Sequence, residues 1–450
     1  MFHTVKYAIL VKKARRNRYK KNPKNNVYSD DGIVIIPGMY IERIITDRLK
    51  ILAKNFPAVV VTGARQVGKS TLVQHTFGAE ADCIVFDPVV DVENARQDPE
   101  LFLDNHQTPM ILDEIQYAPE LVPVIKRRID QDRAPGQYIM TGSQQWNVMK
   151  SIAESLAGRC VFLDLEGFNL AEIGQINTDS LWLEAYLDNP TTFLASNHSR
   201  IKLDTTLYEL LWRGTLPEAK FLPLETISDF HSAYIRTYIE RDVRLLAEVS
   251  DWQQFGRFIR LVAAITAQEI IHAKLGRELG LKPQTARRWL GMLMATFQWF
   301  EVPAYSGNTI KRISSKSKGY IADTGIACSA QAISSPSAIA AHPLWGSLFE
   351  TAVVGEIRKQ CSVLFPKPNI YHWRTYHGAE VDILLERDGR FFPIEIKAKS
   401  RPARSDTSGI SAFRKTYPDL QIEKGLVIAP TERTLQISDN DYAIPWDVKT

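Results

Sequence analysis

A short segment, VTGARQVGKST, contains residue types that bind phosphate groups. Gly63, Gly68, Lys69 and Ser70 follow the spacing G-x-x-x-x-G-K-[ST]. In such a loop the glycines let backbone amides curl around phosphates, the lysine reaches the β- and γ-phosphates, and the hydroxyl is a ligand of Mg²⁺. The sequence therefore predicts a site for ATP and Mg²⁺. The expected binding loop consists of Gly63, Ala64, Arg65, Gln66, Val67, Gly68, Lys69, Ser70 and Thr71.

Two carboxylates follow an apolar run further along the chain. Residues 110–112 have the composition of a buried parallel strand and lead directly into Asp113 and Glu114. We expect Asp113 to hold Mg²⁺ and Glu114 to polarise the attacking water as a general base. A core strand that merely ends in acidic residues is common, but its pairing with the phosphate loop favours the chemical role.

Candidates for contacts with the γ-phosphate come from later segments. The apolar strand GQYIMTGS ends at Ser143, where a parallel sheet presents polar groups to a ligand, although a simple turn explains TGS equally well. Arg159 is the candidate for an arginine that completes the site of a neighbouring subunit, with Arg236 and Arg241 as rivals. Arginines on such helices commonly form surface ion pairs instead. The trans arrangement predicts a homo-oligomer.

A second group of charged residues lies near the carboxyl end of the chain. The segment GAEVDILLERDGRFFPIEIKAKS reads as two alternating strands joined by Asp388-Gly389, a strong hairpin signal. With a two-residue turn, the numbers of paired residues sum to 777, which places Asp382 opposite Glu395. Pro393 suggests an edge strand or a bulge, which would shift this register by one residue.

Opposed carboxylates on a hairpin repel each other, so a divalent cation is the expected counter-charge. Asp382 and Glu395, with Glu350 from a preceding amphipathic helix, offer the oxygen ligands that suit Mg²⁺ or Mn²⁺. Lys397 would then orient water for metal-assisted hydrolysis of a phosphodiester. The alternative is an exposed charged face on which Glu380 and Lys397 form a surface pair and nothing binds.

The elements around these residues indicate an α/β protein. PAVVV is a β-branched strand, the phosphate loop follows, and a helix is expected to begin near Lys69. Residues 170–249 show a mainly helical pattern, without a metal or nucleophile cluster.

Two short helices between residues 256 and 305 resemble a helix-turn-helix joined at Gly280. Its second helix would carry Thr285, Arg287, Arg288 and Trp289. This arrangement is compatible with a DNA-binding winged helix. We favour the winged-helix shape, whereas contact with DNA stays open, because helix pairs with a glycine turn are also frequent in ordinary helical packing, with Trp289 and Leu290 in the core.

Composition limits the class of protein. The 450 residues are 45% hydrophobic and 24% charged, as in ordinary globular proteins, and the four scattered cysteines favour neither a disulfide framework nor a zinc ribbon. No apolar run is long enough to span a bilayer, and the start lacks a secretory signal, so we expect a cytoplasmic protein without membrane contact. Nine basic residues and no acidic ones fall between Lys6 and Lys24, typical of a solvated tail and less often of a nucleic-acid contact.

The ordered motifs VVVTGARQVGKSTLV, ILDEIQYAPEL, IMTGSQQ, SLAGR, YIERDV and EVDILLE with IEIK resemble a family of prokaryotic AAA-type ATPases. These proteins carry a C-terminal domain that resembles PD-(D/E)xK nucleases. The resemblance extends from about Met39 onward and implies that Asp382, Glu395 and Lys397 match the D…ExK motif and Glu350 the helix acid. The basic tail departs from the family pattern.

The resemblance implies an AAA-like parallel sheet core, a helical and winged-helix middle, and a restriction-endonuclease-like end domain. We expect an ATP-binding and ATP-hydrolysing protein whose nucleotide state controls nucleic-acid binding or cleavage. The alternative is an ATP switch whose end domain binds nucleic acid or protein without cleaving. The expected segments are a basic tail, the ATPase core, a helical lid, the winged helix and the nuclease-like domain, at 1–38, 39–175, 176–250, 251–315 and 316–450.

Overall fold

The computed structural model describes residues 40–86, 92–142, 152, 154–176, 181–196, 198–239, 251–308, 310, 312 and 315–449. The predicted basic tail therefore lies outside the described residues. The chain divides into two units, Met1–Ile41 and Glu42–Thr450, and every helix and strand named below belongs to the second. Among the described helices, none is long and apolar enough to cross a bilayer.

A parallel five-stranded sheet forms the first part of the second unit, with strand order β2-β3-β4-β1-β5. Its strands are β1 (Ala58–Thr62), β2 (Asp82–Val85), β3 (Met110–Asp113), β4 (Tyr138–Gly142) and β5 (Cys160–Asp164). β1, β3 and β4 are buried along their whole length, as their apolar sequences predict. Because the strands are parallel, the carboxyl ends of β1 and β3 lie at the same edge. The predicted α/β class is confirmed.

Helices surround this sheet and begin where the sequence supplies the right residues. Its helices are α1 (Thr46–Asn55), α2 (Lys69–Phe77), α3 (Val92–Gln97), α4 (Pro99–Asp104) and α5 (Leu121–Gln131). Asp98 caps α4, whose first residue is Pro99, a favourable combination at a helix start. α2 begins at Lys69, as predicted.

Short helices follow the sheet and divide their packing between two cores. They are α6 (Leu170–Ile173), α7 (Trp182–Asp188), α8 (Pro190–Ala195), α9 (Leu207–Arg213), α10 (Pro217–Phe221) and α11 (Ile227–Tyr234). Trp182, Tyr186 and Phe193 pack in one cluster with Phe392 of the C-terminal region. Leu211 and later residues join the cluster that contains β1. Strand β6 (Ser199–Arg200) pairs with β17 (Val448–Lys449), which ties this region to the chain's end.

In the next region, the described residues form three named helices and a small antiparallel sheet of order β7-β9-β8. Its elements are α12 (Trp252–Ala264), β7 (Gln268–Glu269), α13 (His272–Glu278), α14 (Pro283–Ala295), β8 (Trp299–Val302) and β9 (Lys318–Ile321). Trp289 is buried, with its ring edge-on to Phe255 and Phe258. Trp289 is therefore a core residue, whereas Arg287 and Arg288 are exposed.

A mixed sheet with the order β10-β11-β12-β14-β16-β15 forms the C-terminal region, with β13 also paired to β12. Its strands are β10 (Asn369–Arg374), β11 (Glu380–Arg387), β12 (Arg390–Ile396), β13 (Gln421–Ile422), β14 (Gly425–Ala429), β15 (Leu435–Gln436) and β16 (Asp441–Pro445). Its helices, with those that lead into it, are α15 (Thr324–Ala330), α16 (Pro336–Ile339), α17 (Trp345–Val363) and α18 (Ser408–Thr416).

The β11–β12 hairpin has the predicted register, since Ile383 pairs with Ile394 and Arg387 with Arg390. Pro393 sits opposite Leu384 without shifting the register. On its other side, β12 pairs with β13 at residues 390–391 and with β14 at 394–396. Pro393 lies between these two ladders, so its lack of an N–H removes no hydrogen bond to either strand.

Candidate nucleotide site and carboxylate cluster

The phosphate loop connects the end of β1 to the start of α2. Gly63 has φ +152°, and a Cβ there would lie 2.1 Å from the carbonyl oxygen of Leu165. Gly68 precedes α2 with φ +91°. Both positions therefore require glycine. Lys69 is 5% exposed, and its ammonium donates to the carbonyl oxygens of Gly63 at 3.1 Å and Ala64 at 2.9 Å.

Ser70 and Asp113 meet at the edge of the sheet, as predicted. The Ser70 hydroxyl donates to Asp113 Oδ1 at 2.9 Å, and the Thr141 hydroxyl donates to the same oxygen. Burial raises the pKa of the Asp113 carboxyl, while the hydrogen bonds from Thr141 and Ser70 oppose that rise. A hydroxyl and a carboxylate side by side are hard oxygen ligands that suit Mg²⁺.

Glu114 follows Asp113 in an uncommon backbone conformation, with φ +56°. Such a conformation costs about 1–3 kcal/mol in a residue other than glycine and tends to occur at functional sites. The Glu114 backbone N–H donates to Thr141 Oγ1 at 3.0 Å, and the Gln116 amide donates to the Glu114 carboxylate. These contacts hold the predicted general base beside the Ser70–Asp113 pair. Thr141 was not predicted for this role, although its place at the end of β4 was a usable signal.

Arg43 contacts the phosphate loop, and no sequence motif predicted this contact. Its guanidinium donates to the carbonyl oxygens of Val67 at 2.9 Å and Glu166 at 2.6 Å. Its Nε lies 3.0 Å from Glu172 Oε1, and both side chains are buried. Arg43 therefore ties the phosphate loop to the segment that follows β5.

Tyr234, at the end of α11, reaches the loop from a different direction. Its hydroxyl donates to the carbonyl oxygen of Arg65 at 3.1 Å. The side-chain amide of Gln298, just before β8, donates to the same hydroxyl at 3.3 Å. One buried tyrosine thus joins the phosphate loop to the small antiparallel sheet.

A buried lysine, Lys318 on β9, lies among the carboxylates of the C-terminal region. Its ammonium nitrogen is 2.7 Å from Glu350 Oε1, 2.7 Å from Glu380 Oε1 and 3.2 Å from Asp382 Oδ1. Neither composition nor spacing marked this lysine, because it precedes the hairpin by about sixty residues. The structure therefore brings the predicted acids together around a residue that the sequence did not suggest.

Lys397 is the second ammonium of this cluster. Its nitrogen lies 2.6 Å from Glu395 Oε2 and 3.4 Å from Asp382 Oδ2. The backbone N–H of Ile396 also donates to Asp382 Oδ2 at 2.9 Å. Burial opposes ionisation of Asp382, but the charges of Lys318 and Lys397 outweigh it and lower the pKa of Asp382. Burial and the neighbouring Asp382 charge raise the pKa of Glu395.

Comparisons with known proteins now identify part of the chain. Residues 55–174 match the family model described as AAA domain. The match spans the phosphate loop, Asp113 and Glu114. Residues 55–174 are therefore similar to AAA domains, and this segment is called the AAA domain below. After it, residues 204–337 and 345–448 match two domains of unknown function, DUF8612 and DUF4143.

Two mycobacterial proteins are similar to most of this chain, beyond the AAA domain alone. Uncharacterized proteins Rv2008c of Mycobacterium tuberculosis and Mb2031c of Mycobacterium bovis are each 29% identical over 401 residues, which is 89% of this chain and 82% of the relative. Among solved structures, the Walker-type ATPase PABY2304 of Pyrococcus abyssi has a TM-score of 0.40 and 13% identity, covering 64% of this chain and 94% of that one.

Arg159 lies away from the nucleotide side of its own AAA domain. It directly precedes β5, whereas the phosphate loop follows the opposite, carboxyl end of the adjacent strand β1. Its guanidinium pairs with Asp130 in a two-point contact, at 2.6 and 2.9 Å. A role in a neighbouring subunit stays a prediction. Ser143 and the rival Arg241 lie outside the described residues, and Arg236 is exposed just after α11.

The carboxylate cluster beyond the AAA domain does not fit a divalent metal ion as it stands. Among the described residues, no group of three His, Cys, Asp or Glu side chains is arranged to hold a metal. Asp382 directs both oxygens at nitrogen donors, Lys318 on one side and Ile396 with Lys397 on the other. The predicted ligands Glu350, Asp382 and Glu395 are close together, but ammonium groups supply the positive charge.

Arg43→Ala is expected to lower the free energy of unfolding by about 3 kcal/mol, because it leaves the buried Glu172 carboxylate without its positively charged partner, while the backbone N–H groups of Ile44 and Asn169 still donate to it. Urea denaturation followed by tryptophan fluorescence measures the loss. Arg159→Ala removes a more exposed ion pair and serves as the matched control, with little expected change in stability. Equal shifts in the two variants would contradict a special role for Arg43.

Proposed function

We propose that the protein hydrolyses ATP in its AAA domain, with Lys69, Ser70, Asp113 and Glu114 as the working residues. The observation that supports this most directly is the 2.9 Å contact between Ser70 and Asp113. Both residues supply hard oxygen atoms of the kind that Mg²⁺ prefers, and they neighbour the lysine of the phosphate loop and the carboxylate of Glu114. Mg²⁺, when bound, would neutralise charge on the β- and γ-phosphates.

In the proposed reaction, a water oxygen adds to the γ-phosphorus and the bond from that phosphorus to the β–γ bridging oxygen breaks. Glu114 accepts a proton from the water, and ADP leaves with the bridging oxygen. Lys69 supplies positive charge to the phosphate oxygens. The backbone amides of the loop, held in place by Arg43 and the two glycines, orient the phosphates.

We further propose that nucleotide state is transmitted to the C-terminal region through the segment after β5. Glu166 accepts a hydrogen bond from Arg43 with its backbone and pairs through its carboxylate with Arg358 on α17. Lys359 of the same helix donates to the carbonyl oxygen of Phe168 at 2.8 Å. A change in the phosphate loop therefore has a short, partly buried connection to the helix that also carries Glu350.

Nucleic acid is the proposed partner of the middle region. The order of its three helices and three strands is that of a winged helix, and α14 would be the recognition helix. Exposed basic residues gather on α13, α14 and the turn between them, as a polyanion-binding face requires. They are Lys274, Arg277, Lys282, Arg287 and Arg288. A homo-oligomer, in which Arg159 serves a neighbouring site, belongs to the same proposal.

Binding without cleavage is the outcome that the carboxylate cluster favours. A nuclease of the D…ExK type needs metal-accessible oxygens on Asp382 and Glu395, and both residues are occupied by ammonium contacts here. Labelled DNA and RNA incubated with Mg²⁺ or Mn²⁺, with and without ATP, should therefore remain intact. Cleavage by the parent that Asp382→Ala abolishes would instead establish a nuclease.

Arg287→Ala combined with Arg288→Ala is expected to weaken nucleic-acid binding roughly tenfold and to reduce the salt slope of the binding constant by roughly 2, because two phosphate contacts are lost. Fluorescence anisotropy of labelled single- and double-stranded DNA and RNA at several salt concentrations measures both. Lys50→Ala combined with Lys54→Ala, two exposed helix cations of α1, is the control. Indistinguishable binding by both double variants would remove α14 from the interface.

A further inference from the structure

Lys318 contacts more carboxylates than a lysine in an ordinary ion pair does, and in this respect its ammonium group resembles a bound cation. An ammonium group has three N–H donors, and three carboxylates lie within 3.2 Å of this one. They come from two separate elements, Glu350 from α17 and Glu380 with Asp382 from β11. The side chain of Lys318 is only 5% exposed, so water does not replace these partners.

The strand that carries Lys318 belongs to a different sheet from the hairpin. β9 pairs with β7 and β8, and its residues Lys318 and Tyr320 are two positions apart, which places them on one face of the strand. The Tyr320 hydroxyl donates to Glu350 Oε1 at 2.9 Å. β9 therefore inserts two donors into the carboxylate cluster from outside the C-terminal sheet.

Charge makes this ammonium and a divalent cation mutually exclusive. Asp382 Oδ1 faces Lys318, and Asp382 Oδ2 faces Lys397 and the Ile396 N–H, so a metal ion that binds Asp382 must share an oxygen with one of these donors or displace it. A divalent ion at ligand distance from the same oxygens would lie within a few ångströms of a buried positive charge. Repulsion of that kind is weakly screened in the interior.

We propose that Lys318 is the resident cation of this cluster and excludes divalent metal ions from it. The position of Lys318 on β9 then determines whether the carboxylates of α17 and β11 can bind a metal ion. Removing the lysine charge leaves Glu350, Glu380 and Asp382 facing one another without this counter-charge, and their hard oxygen atoms can then close on Mn²⁺ or Mg²⁺. The inference concerns metal binding alone and stands or falls independently of ATP hydrolysis.

Mn²⁺ binding to the full chain, followed by electron paramagnetic resonance without nucleotide, tests the proposal. The parent should show no Mn²⁺ site that depends on Asp382, so parent and Asp382→Asn should bind alike. Lys318→Met should gain one site, at least tenfold tighter than any in the parent, and Asp382→Asn added to it should abolish that site. Lys316→Met, an exposed lysine of the same segment, is the matched control and should behave as the parent.

Two results would overturn the proposal. One is an Asp382-dependent Mn²⁺ site in the parent, which needs no Lys318 variant and so remains decisive if Lys318→Met does not fold. The other is a folded Lys318→Met protein without a new site. Thermal unfolding provides a second readout, since Mn²⁺ should raise the melting temperature of Lys318→Met by more than it raises those of the parent and the double variant.

Discussion

Lys69→Ala is expected to weaken ATP binding by about 100-fold. The lysine is buried at the start of α2, and its ammonium already donates to two carbonyl oxygens of the phosphate loop. Two charge-assisted hydrogen bonds to phosphate oxygens contribute about 3 kcal/mol together, which corresponds to roughly that loss of affinity. Titration with a fluorescent ATP analogue in the presence of Mg²⁺ measures it.

The control for this variant is Lys54→Ala, which removes an exposed lysine from α1 and should leave the affinity unchanged. Circular dichroism of both variants separates loss of binding from loss of fold. If Lys69→Ala keeps the parent's helical signal and the parent's affinity for the nucleotide, the phosphate-binding role of the loop is wrong, and with it the proposed ATP site.

Glu114→Gln is expected to retain ATP binding while lowering the turnover number by about 10²–10⁴-fold, the range that general-base catalysis contributes. Glutamine has nearly the same shape, so the left-handed backbone at this position and the contact with Gln116 change little. The amide cannot accept the proton of the attacking water. Steady-state release of phosphate and equilibrium binding of nucleotide, measured on one preparation, separate the two effects.

Glu120→Gln, at a half-exposed acid a few residues further on, is the matched control and should turn over ATP at the parent's rate. Normal turnover by Glu114→Gln would exclude Glu114 as the general base. A parallel loss of affinity and turnover would indicate that the residue positions Asp113 and Thr141, because the Glu114 N–H donates to Thr141.

Local patterns in the sequence were sufficient to predict the candidate nucleotide-binding edge of the parallel sheet and the β11–β12 hairpin. The phosphate loop, the carboxylates of β3 and the start of α2 follow from residue types at short spacing, because strand, turn and helix each depend on nearby residues. The Asp388-Gly389 turn fixed the register of β11 and β12 for the same reason, since a two-residue turn leaves one pairing available.

Contacts between distant segments required the tertiary structure. Arg43 reaches Glu166 and Glu172 across more than a hundred residues, and Lys318 reaches Asp382 from another sheet. No periodicity distinguishes a lysine that will be buried among acids from one that will face water. The sequence by itself determined which residues have the chemistry for ATP and which acids share a hairpin face. Only the packing of β9 against α17 and β11 brought an ammonium group among those acids, because that contact depends on elements whose proximity no local pattern encodes.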